Sequence, residues 1–544
     1  MRTTLIRAHP ALSTARRRRR AARSTADGAS TGTAAAVAVA AVPFTLVVGF
    51  AAFDGGYYAP AWGWSALALA WATLVATTGS KELRPGTLSI VWACAVAALG
   101  LWIWLSGAWS VSSTLTLLDA QRVLVYASAA AFVVIAVTPQ NSRAVLRALL
   151  IATAIVAAYA VIRYGSLEGT PIAEPVGYAN ALGLLAVIGL LLALGFAAED
   201  GLDRAVGIAA AFPVAACGYL TYSRGPLLAF AVGLATMGIL GGGRLRTVTV
   251  ASAVVGGVLL AALAGRSAVV GSTLGTTLRE DVLTFSSNDR DQYWAAAWQT
   301  VLDHPLLGSG AGTFQRMWLL HRDVNLGVLD AHSLYLETLA ELGPIGLALL
   351  VLVCGLPVLA AWRARAERLV PAAAGAYAAY LSHSAVDWDW EMPVLTVPAF
   401  VLGGVLVVIG SRKSVCLERR GRAVFGAAVS LVGVVAFVGL MSNSALTAAV
   451  IDLESGSTRS AEREARRARP WALWSAEPDR LTAEAAAAGG DRAVARRAAL
   501  AALRRDSGNV QLWRLLAGVA PTDRGRAYRQ IAALDPHGPP PWAR

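Results

Sequence analysis

One histidine and two glutamates stand on the stretch DAHSLYLETLAELGPIG, residues 330–346, directly ahead of a long apolar run. Asp330 is placed to cap a helix over 331–342, which Gly343 and Pro344 end. His332 then falls in the first turn. There the positive end of the helix dipole disfavours an imidazolium and leaves a neutral ring able to accept a proton near pH 7. The Asp330 carboxylate pushes the other way. Leu336 and Leu339 bury one face of this helix, and Glu337 and Glu341, an i, i+4 pair, lie on another. Two arginines lie upstream. Arg224, in TYSRGPLLAF, precedes an apolar span. Arg290, in SSNDRDQYWAAAWQTVLDHP, begins a helix predicted over 290–303, with Ser287, Asn288 or Asp289 as its cap and His304-Pro305 as its end. Trp294, Trp298 and Val301 mark an apolar stripe on it, suited to packing on spans or lying along a membrane surface. An arginine at a helix N-terminus opposes the dipole and asks for an anionic partner. Downstream, LSHSAVDWDWEMP brings His383, Asp387, Asp389 and Glu391 to the end of another span. They can cap the interface, line a cavity or hold the arginines.

Each of these residues also has a structural reading. Arg224 can snorkel at the lipid interface, Arg290 can pair with Asp289 or Asp291, and His332 can be a satisfied polar residue. Taken together they suggest more. Two guanidiniums at one membrane face match the oxygens of a diphosphate, and a neutral histidine suits activation of an acceptor hydroxyl. A sugar on a lipid diphosphate would supply the anion and the reason for a site at a bilayer. The GSGAG at 308–312 reads as a flexible turn, because no strand precedes it as a nucleotide loop requires.

The elements that must position these groups are membrane spans. Hydrophobic residues make up 56% of the 544-residue chain and charged residues 15%, against about 25% charged in soluble domains. The apolar residues gather near 33–52, 61–79, 87–106, 121–138, 143–163, 177–197, 205–222, 225–240, 247–264, 345–361, 369–386, 394–410 and 423–441. These are about thirteen stretches of roughly the length that crosses a ~30 Å hydrocarbon core. The expected fold class is therefore all-α and polytopic. The net charge of +13 does not imply nucleic acid. The arginines collect in alternate short loops such as WRARAERL and SRKSVCLERRGR, while AFDGGYYAP and SAVDWDWEMP are acidic and aromatic. The positive-inside rule places the basic segment 1–32, with its Arg16–Arg20 run, in the cytoplasm. It places the long loop 265–344 and the C-terminus outside. Cys94, Cys217, Cys354 and Cys416 lie in spans or a basic loop, which argues against a disulfide framework, and no Cys/His group has zinc spacing.

A membrane domain over 33–441 is expected to pass through a linker, 442–457, into a tail over 458–544 rich in alanine and arginine. In the tail Pro470 and Asn509 open similar stretches with Trp474 and Trp513 aligned, and GGD separates two helices. The spacing fits degenerate tetratricopeptide-type repeats of about 34 residues, or a plain helical hairpin. Either would serve protein contact or support.

The stretch from NDRDQYWAAAW through HPLLGSGAGTF to AHSLYLETLAELGPIGL resembles the O-antigen ligase/polymerase superfamily of bacterial envelope enzymes. TYSRGPLLAF, PVGYANALGLL and HSAVDWDWEMP are similar to other segments of that family, so the resemblance covers roughly residues 170–410. It implies an inner-membrane, metal-independent glycosyltransferase without cofactor, using a polyprenyl diphosphate-linked glycan on the extracytoplasmic face. Arg224 and Arg290 would hold the diphosphate and His332 would be the base. Asn180, Glu337, His383 and Asp387 would line the site. Many members read His-Asn where this chain has His332-Ser333, and the tail exceeds the compact ligase pattern. The acceptor is thus open among polysaccharide, lipid and protein, and the tail can engage protein partners. Two other classes fit the same arginines: a lipid-diphosphate transporter or flippase, and a non-catalytic membrane assembly factor.

Overall fold

The computed structural model describes residues 33–80, 82–165, 170–254, 289–540 and 542. The basic segment 1–32, the later part of the ninth expected span, the start of the long loop and the caps proposed at Ser287 and Asn288 lie outside these residues.

The regular elements described are helices. The first nine are α1 (Thr33–Ala51), α2 (Ala59–Gly79), α3 (Thr87–Ser106), α4 (Ser113–Ala136), α5 (Ser142–Tyr164), α6 (Ala179–Ala197), α7 (Gly201–Leu220), α8 (Arg224–Leu240) and α9 (243–254). After the long loop come α10 (Arg290–Asp303), α11 (Phe314–His321), α12 (Leu334–Arg363), α13 (Val370–His383), α14 (Pro393–Gly410) and α15 (Arg419–Glu454). Ten of them, α1–α7, α12, α14 and α15, are long and apolar enough to cross a membrane. Helices suit that medium because each closes its own backbone hydrogen bonds. The thirteen expected spans exceed this number for specific reasons. α8 has 17 residues and α13 has 14, and α9 is described only to residue 254.

Among these ten, α6 and α14 are the most enclosed, with Leu184, Ile188, Leu395 and Leu402 buried. α3 and α15 keep apolar side chains such as Val91, Leu101, Leu431 and Val434 exposed. Their polar anchoring is at the ends. At one end of the bundle Arg143 pairs with Glu199 and Asp203, and Arg147 reaches Asp203 at 2.5 Å, tying α5 to the α6–α7 turn. The candidate site lies at the other end.

α15 has 36 residues, about 54 Å at 1.5 Å per residue, and so outruns a ~30 Å hydrocarbon core. The segment expected as a linker, 442–457, is therefore helical as far as Glu454. The tail follows as α16 (Thr458–Ala468), α17 (Glu477–Ala488), α18 (Arg492–Arg505), α19 (Val510–Val519) and α20 (Arg524–Leu534). Each packs on its predecessor, around a core that includes Ala499, Leu512, Trp513, Leu516 and Ile531. Asp491 and Asn509 cap α18 and α19 by accepting from Val494 N and Gln511 N. Pro470 and Trp474 do not mirror Asn509 and Trp513: they lie in the turns before α17, whereas Trp513 sits inside α19.

The tail stands on the membrane domain. Asp506, after α18, pairs with Arg316 at 3.1 Å, and Asp535, after α20, pairs with Arg322 at 2.6 Å. All four side chains are largely buried. Ala476 N donates to Thr114 Oγ1 at 3.1 Å, and Trp471 meets Phe437 edge-on.

Candidate active site

α12 begins at Leu334, three residues later than the 331 start expected, because Ala331–Ser333 fold as an irregular turn. His332 occupies the left-handed region at φ 54. Asp330 does not cap the helix with its side chain. Its backbone carbonyl lies 3.0 Å from His332 Nδ1. A carbonyl only accepts, so Nδ1 carries the hydrogen and Nε2 keeps the lone pair. The imidazole lies against the Tyr293 ring of α10, with centroids 5.2 Å apart. Burial pushes the His332 pKa below its usual 6.5, against the opposing pull of the Asp330 carbonyl and the Asp387 carboxylate.

The expected end of this helix at Gly343-Pro344 is a kink. The chain continues helically to Arg363, while Gly343 adopts φ 66. A Cβ there would sit 2.3 Å from the Leu306 carbonyl oxygen, and one on Gly308 would sit 2.2 Å from the Glu341 carbonyl. Ser309 N and Gly310 N donate to Ala340 O and Glu341 O at 3.1 and 2.8 Å. GSGAG is thus a tight seam against the kink and not a flexible turn.

Arg224 and Arg290 are each the first residue of a helix, α8 and α10. A chain of polar contacts runs from Ser223, the neighbour of Arg224, to Arg290. Ser223 Oγ donates to Asn180 Oδ1, Asn180 Nδ2 donates to Asp387 Oδ2 at 2.6 Å, and Arg290 donates to the same oxygen at 3.3 Å. Tyr178 Oη and Trp388 N complete the shell of Asp387 at 3.0 and 2.9 Å, and the Tyr178 and Trp388 rings stack at 4.7 Å. Arg290 therefore pairs with Asp387, 97 positions away, where Asp289 and Asp291 were the local candidates. The Trp294–Trp298 stripe of α10 is exposed. Its buried face is Tyr293, Ala296, Ala297 and Thr300.

His383 ends α13 fully buried, with Nδ1 2.6 Å from Asp389 Oδ2. A Cβ on Gly225 would come within 2.6 Å of its Nε2, so the missing side chain lets α8 rest on the imidazole. Ser384 O accepts from Leu334 N at 2.8 Å, and Tyr335 Oη donates to Leu381 O at 2.9 Å. The end of α13 thereby links His332, Arg224 and the acidic loop.

Glu337 and Glu341 point into the protein, while Leu336 and Leu339 are only half-buried. Glu341 accepts from Gly312 N and Phe314 N, both at 2.8 Å, and so caps α11. Glu337 accepts from Ala331 N and holds the His332 turn. Beside them Arg122 pairs with Asp119 and with Glu391. Burial, reinforced by Glu391, raises the Asp330 carboxyl well above its usual value. Carboxylate oxygens of Asp330, Glu337 and Glu391 lie within 4.8 Å of one another, a grouping that can hold a cation. A cavity of about 120 Å³ opens beside Asp119, Arg122, Glu337 and Glu341 and runs among Trp92, Tyr126, Tyr377 and Phe400.

The structure thus joins Asn180, Arg290 and Asp387 in one hydrogen-bonded group, with His332 and His383 beside it and Arg224 next to Ser223. Glu337 holds the His332 turn through Ala331 N and lines the neighbouring cavity. Arg122, Tyr178 and Tyr293 were not singled out from sequence. A charge inside an apolar stretch was the available signal for Arg122, whereas nothing local marks the two tyrosines.

Residues 209–351, from within α7 to beyond the α12 kink, match the family model described as O-Antigen ligase, and the match contains Arg224, Arg290 and His332. No curated protein matches the chain. Residues 209–351 are thus similar to an O-antigen ligase domain, and the chain is a multi-pass membrane protein whose resemblance to the O-antigen ligase superfamily stands.

Proposed function

We propose that this protein transfers a glycan from a polyprenyl diphosphate carrier to an acceptor hydroxyl, at the extracytoplasmic face of the bacterial inner membrane. The observation that carries this reading is the His332 tautomer: Nδ1 is engaged by the Asp330 carbonyl and burial disfavours the charged ring. Nε2 is the nitrogen left to take the acceptor's proton as its oxygen attacks the anomeric carbon. The bond to the diphosphate breaks in the same displacement, and the leaving group departs with the electron pair. Arg224 and Arg290 would hold that diphosphate. Each opens a helix, so the unpaired N–H groups of two helix ends add to the guanidinium charge. Stabilising the leaving diphosphate is the larger electrostatic contribution. The buried Asp387 carboxylate orients Arg290, and Asn180 carries that order towards Ser223. Metal independence belongs to the same proposal: arginines take the role that a divalent ion would otherwise have at the diphosphate. The cavity beside Arg122 would receive an apolar part of a lipid substrate.

The test is transfer in purified membranes from a polyprenyl diphosphate-linked oligosaccharide, comparing wild type with His332→Ala at matched expression. Loss of about 10²–10⁴ in rate with lipid-diphosphate binding retained is expected for a missing base. Undiminished transfer by the variant would remove the histidine mechanism.

A further inference from the structure

The tail between Thr458 and Arg544 holds sixteen arginines and no lysine, against nine aspartates and glutamates. Their distribution is visible only in three dimensions. α17 touches α15 and α19 as well as its chain neighbours, so α15, α17 and α19 form one layer and α16, α18 and α20 the other. Twelve exposed arginines lie on this second layer, four on α16, five on α18 and three on α20. α17 and α19 have one arginine each, both half-buried. Arg480 is clamped between Glu477 and Glu484, and Arg514 faces Asp535. In the second layer Arg459, Arg463, Arg492, Arg497, Arg504 and Arg529 have no carboxylate within ion-pair distance among the described residues.

Arg492 and Arg524 are the first residues of α18 and α20, and Arg459 is the second of α16. Cations there oppose the helix dipole, so their placement favours an anionic partner. From the side-chain distribution and the stacking we infer that this layer is a docking surface for a polyanionic glycan chain, one with repeating phosphodiester or carboxylate groups. It would hold the acceptor polymer, so the inference rests on the glycan-transfer reading above.

Height distinguishes a polymer from the bilayer itself. The ends of α18 and α20 that contact the membrane domain are their C-termini, at Asp506 and Asp535. Arg492 therefore lies about 18 Å along α18 from Arg504, on the side away from that contact, at 1.5 Å per residue, which exceeds the ~8–10 Å screening length at physiological salt. An anion confined to the base would therefore leave the outer arginines unmatched, whereas an extended polyanion can follow the whole row. The row also leads to the site: α20 packs on α11, whose first amide is held by Glu341.

The experiment uses the full-length protein in nanodiscs of zwitterionic lipid. The probes are a size-defined poly(glycerol phosphate) and neutral dextran of equal length. The comparison variant replaces Arg459, Arg463, Arg492, Arg497, Arg504 and Arg529 with glutamine, which preserves helix propensity at exposed positions. Wild type should bind the polyanion and not dextran, with affinity falling steeply between about 50 and about 200 mM salt. The variant should bind at least about tenfold more weakly, with a shallower salt dependence. Its transfer to a short neutral acceptor should equal wild type. Lack of polyanion binding by wild type, or equal binding by the variant, overturns the inference. So does a variant that loses binding only to anionic lipid vesicles, which would make the partner a bilayer. Failure of wild type to transfer to the short acceptor would instead count against the proposed reaction, so the two failures are distinguishable.

Discussion

Asp387→Asn turns one carboxylate oxygen into an amide nitrogen at the point where four donors converge. Oδ1 receives Tyr178 Oη and Trp388 N, and asparagine can keep that oxygen as an acceptor. Oδ2 receives Asn180 Nδ2 at 2.6 Å and Arg290 at 3.3 Å, and there the new NH₂ would face two donors. Asp387 is 1% exposed, so water cannot replace the lost acceptor. Two hydrogen bonds to a buried charge at about 1.5–3 kcal/mol each give a destabilisation of about 3–6 kcal/mol. Resistance of the purified protein to unfolding in detergent measures this. Release of Arg290 should also weaken binding of a polyprenyl diphosphate by about tenfold, or about 1.4 kcal/mol. In a cycle with Arg290→Gln, the two single effects should fail to add by about 0.5–3 kcal/mol, because they share one contact. An Asp387→Asn protein that unfolds like wild type and binds the lipid diphosphate equally well would refute the idea that this carboxylate organises the site.

Three further outcomes follow from the same geometry. Because burial lowers the His332 pKa below 6.5 and the neutral ring is the active form, kcat/KM should be insensitive to pH from about 7 upward and fall only below 6.5; an acid limb centred above 7 would contradict this. Exhaustive chelation should leave transfer unchanged if arginines alone neutralise the diphosphate, whereas loss on chelation and recovery with a divalent ion would assign a metal to Asp330, Glu337 and Glu391. Gly343→Ala should destabilise the protein by about 1–3 kcal/mol from the positive φ alone, with the clash against Leu306 O adding to it, and a variant of wild-type stability would show that the kink relaxes freely.

Much of the candidate site could be read locally, because its residues are costly exceptions to their surroundings. Arg224, His383 and Asp387 stand out against apolar spans, and the helix of Arg290 has its expected limits, 290–303. Other readings failed where a local rule was outvoted. Capping logic assigned Asp330 to a helix start, but the glutamate at 337 reaches back to Ala331 N and holds a turn there. Amphipathic logic offered Trp294 and Trp298 a place on the spans or along a membrane surface, and because small Ala296 and Ala297 allow α10 the closer approach, the tryptophans stay outside and only the second place remains. The partners of Glu337 and Glu341 were not legible, because nothing nearby in the chain announces the amides and Arg122 that surround them.

The sequence by itself determines that the chain is helical and crosses a membrane repeatedly, since apolar runs of that length have no other stable state in water or lipid. It also marks the histidine and arginines as a group of unusual charges near one end of the spans. Only the tertiary structure decides what each of them faces. Arg290 finds Asp387, the ring nitrogen of His332 finds the Asp330 carbonyl, and alternate tail helices turn their arginines to one side. These pairings depend on backbone approach at Gly225, Gly308 and Gly343 and on helix stacking, which couple residues far apart in the chain.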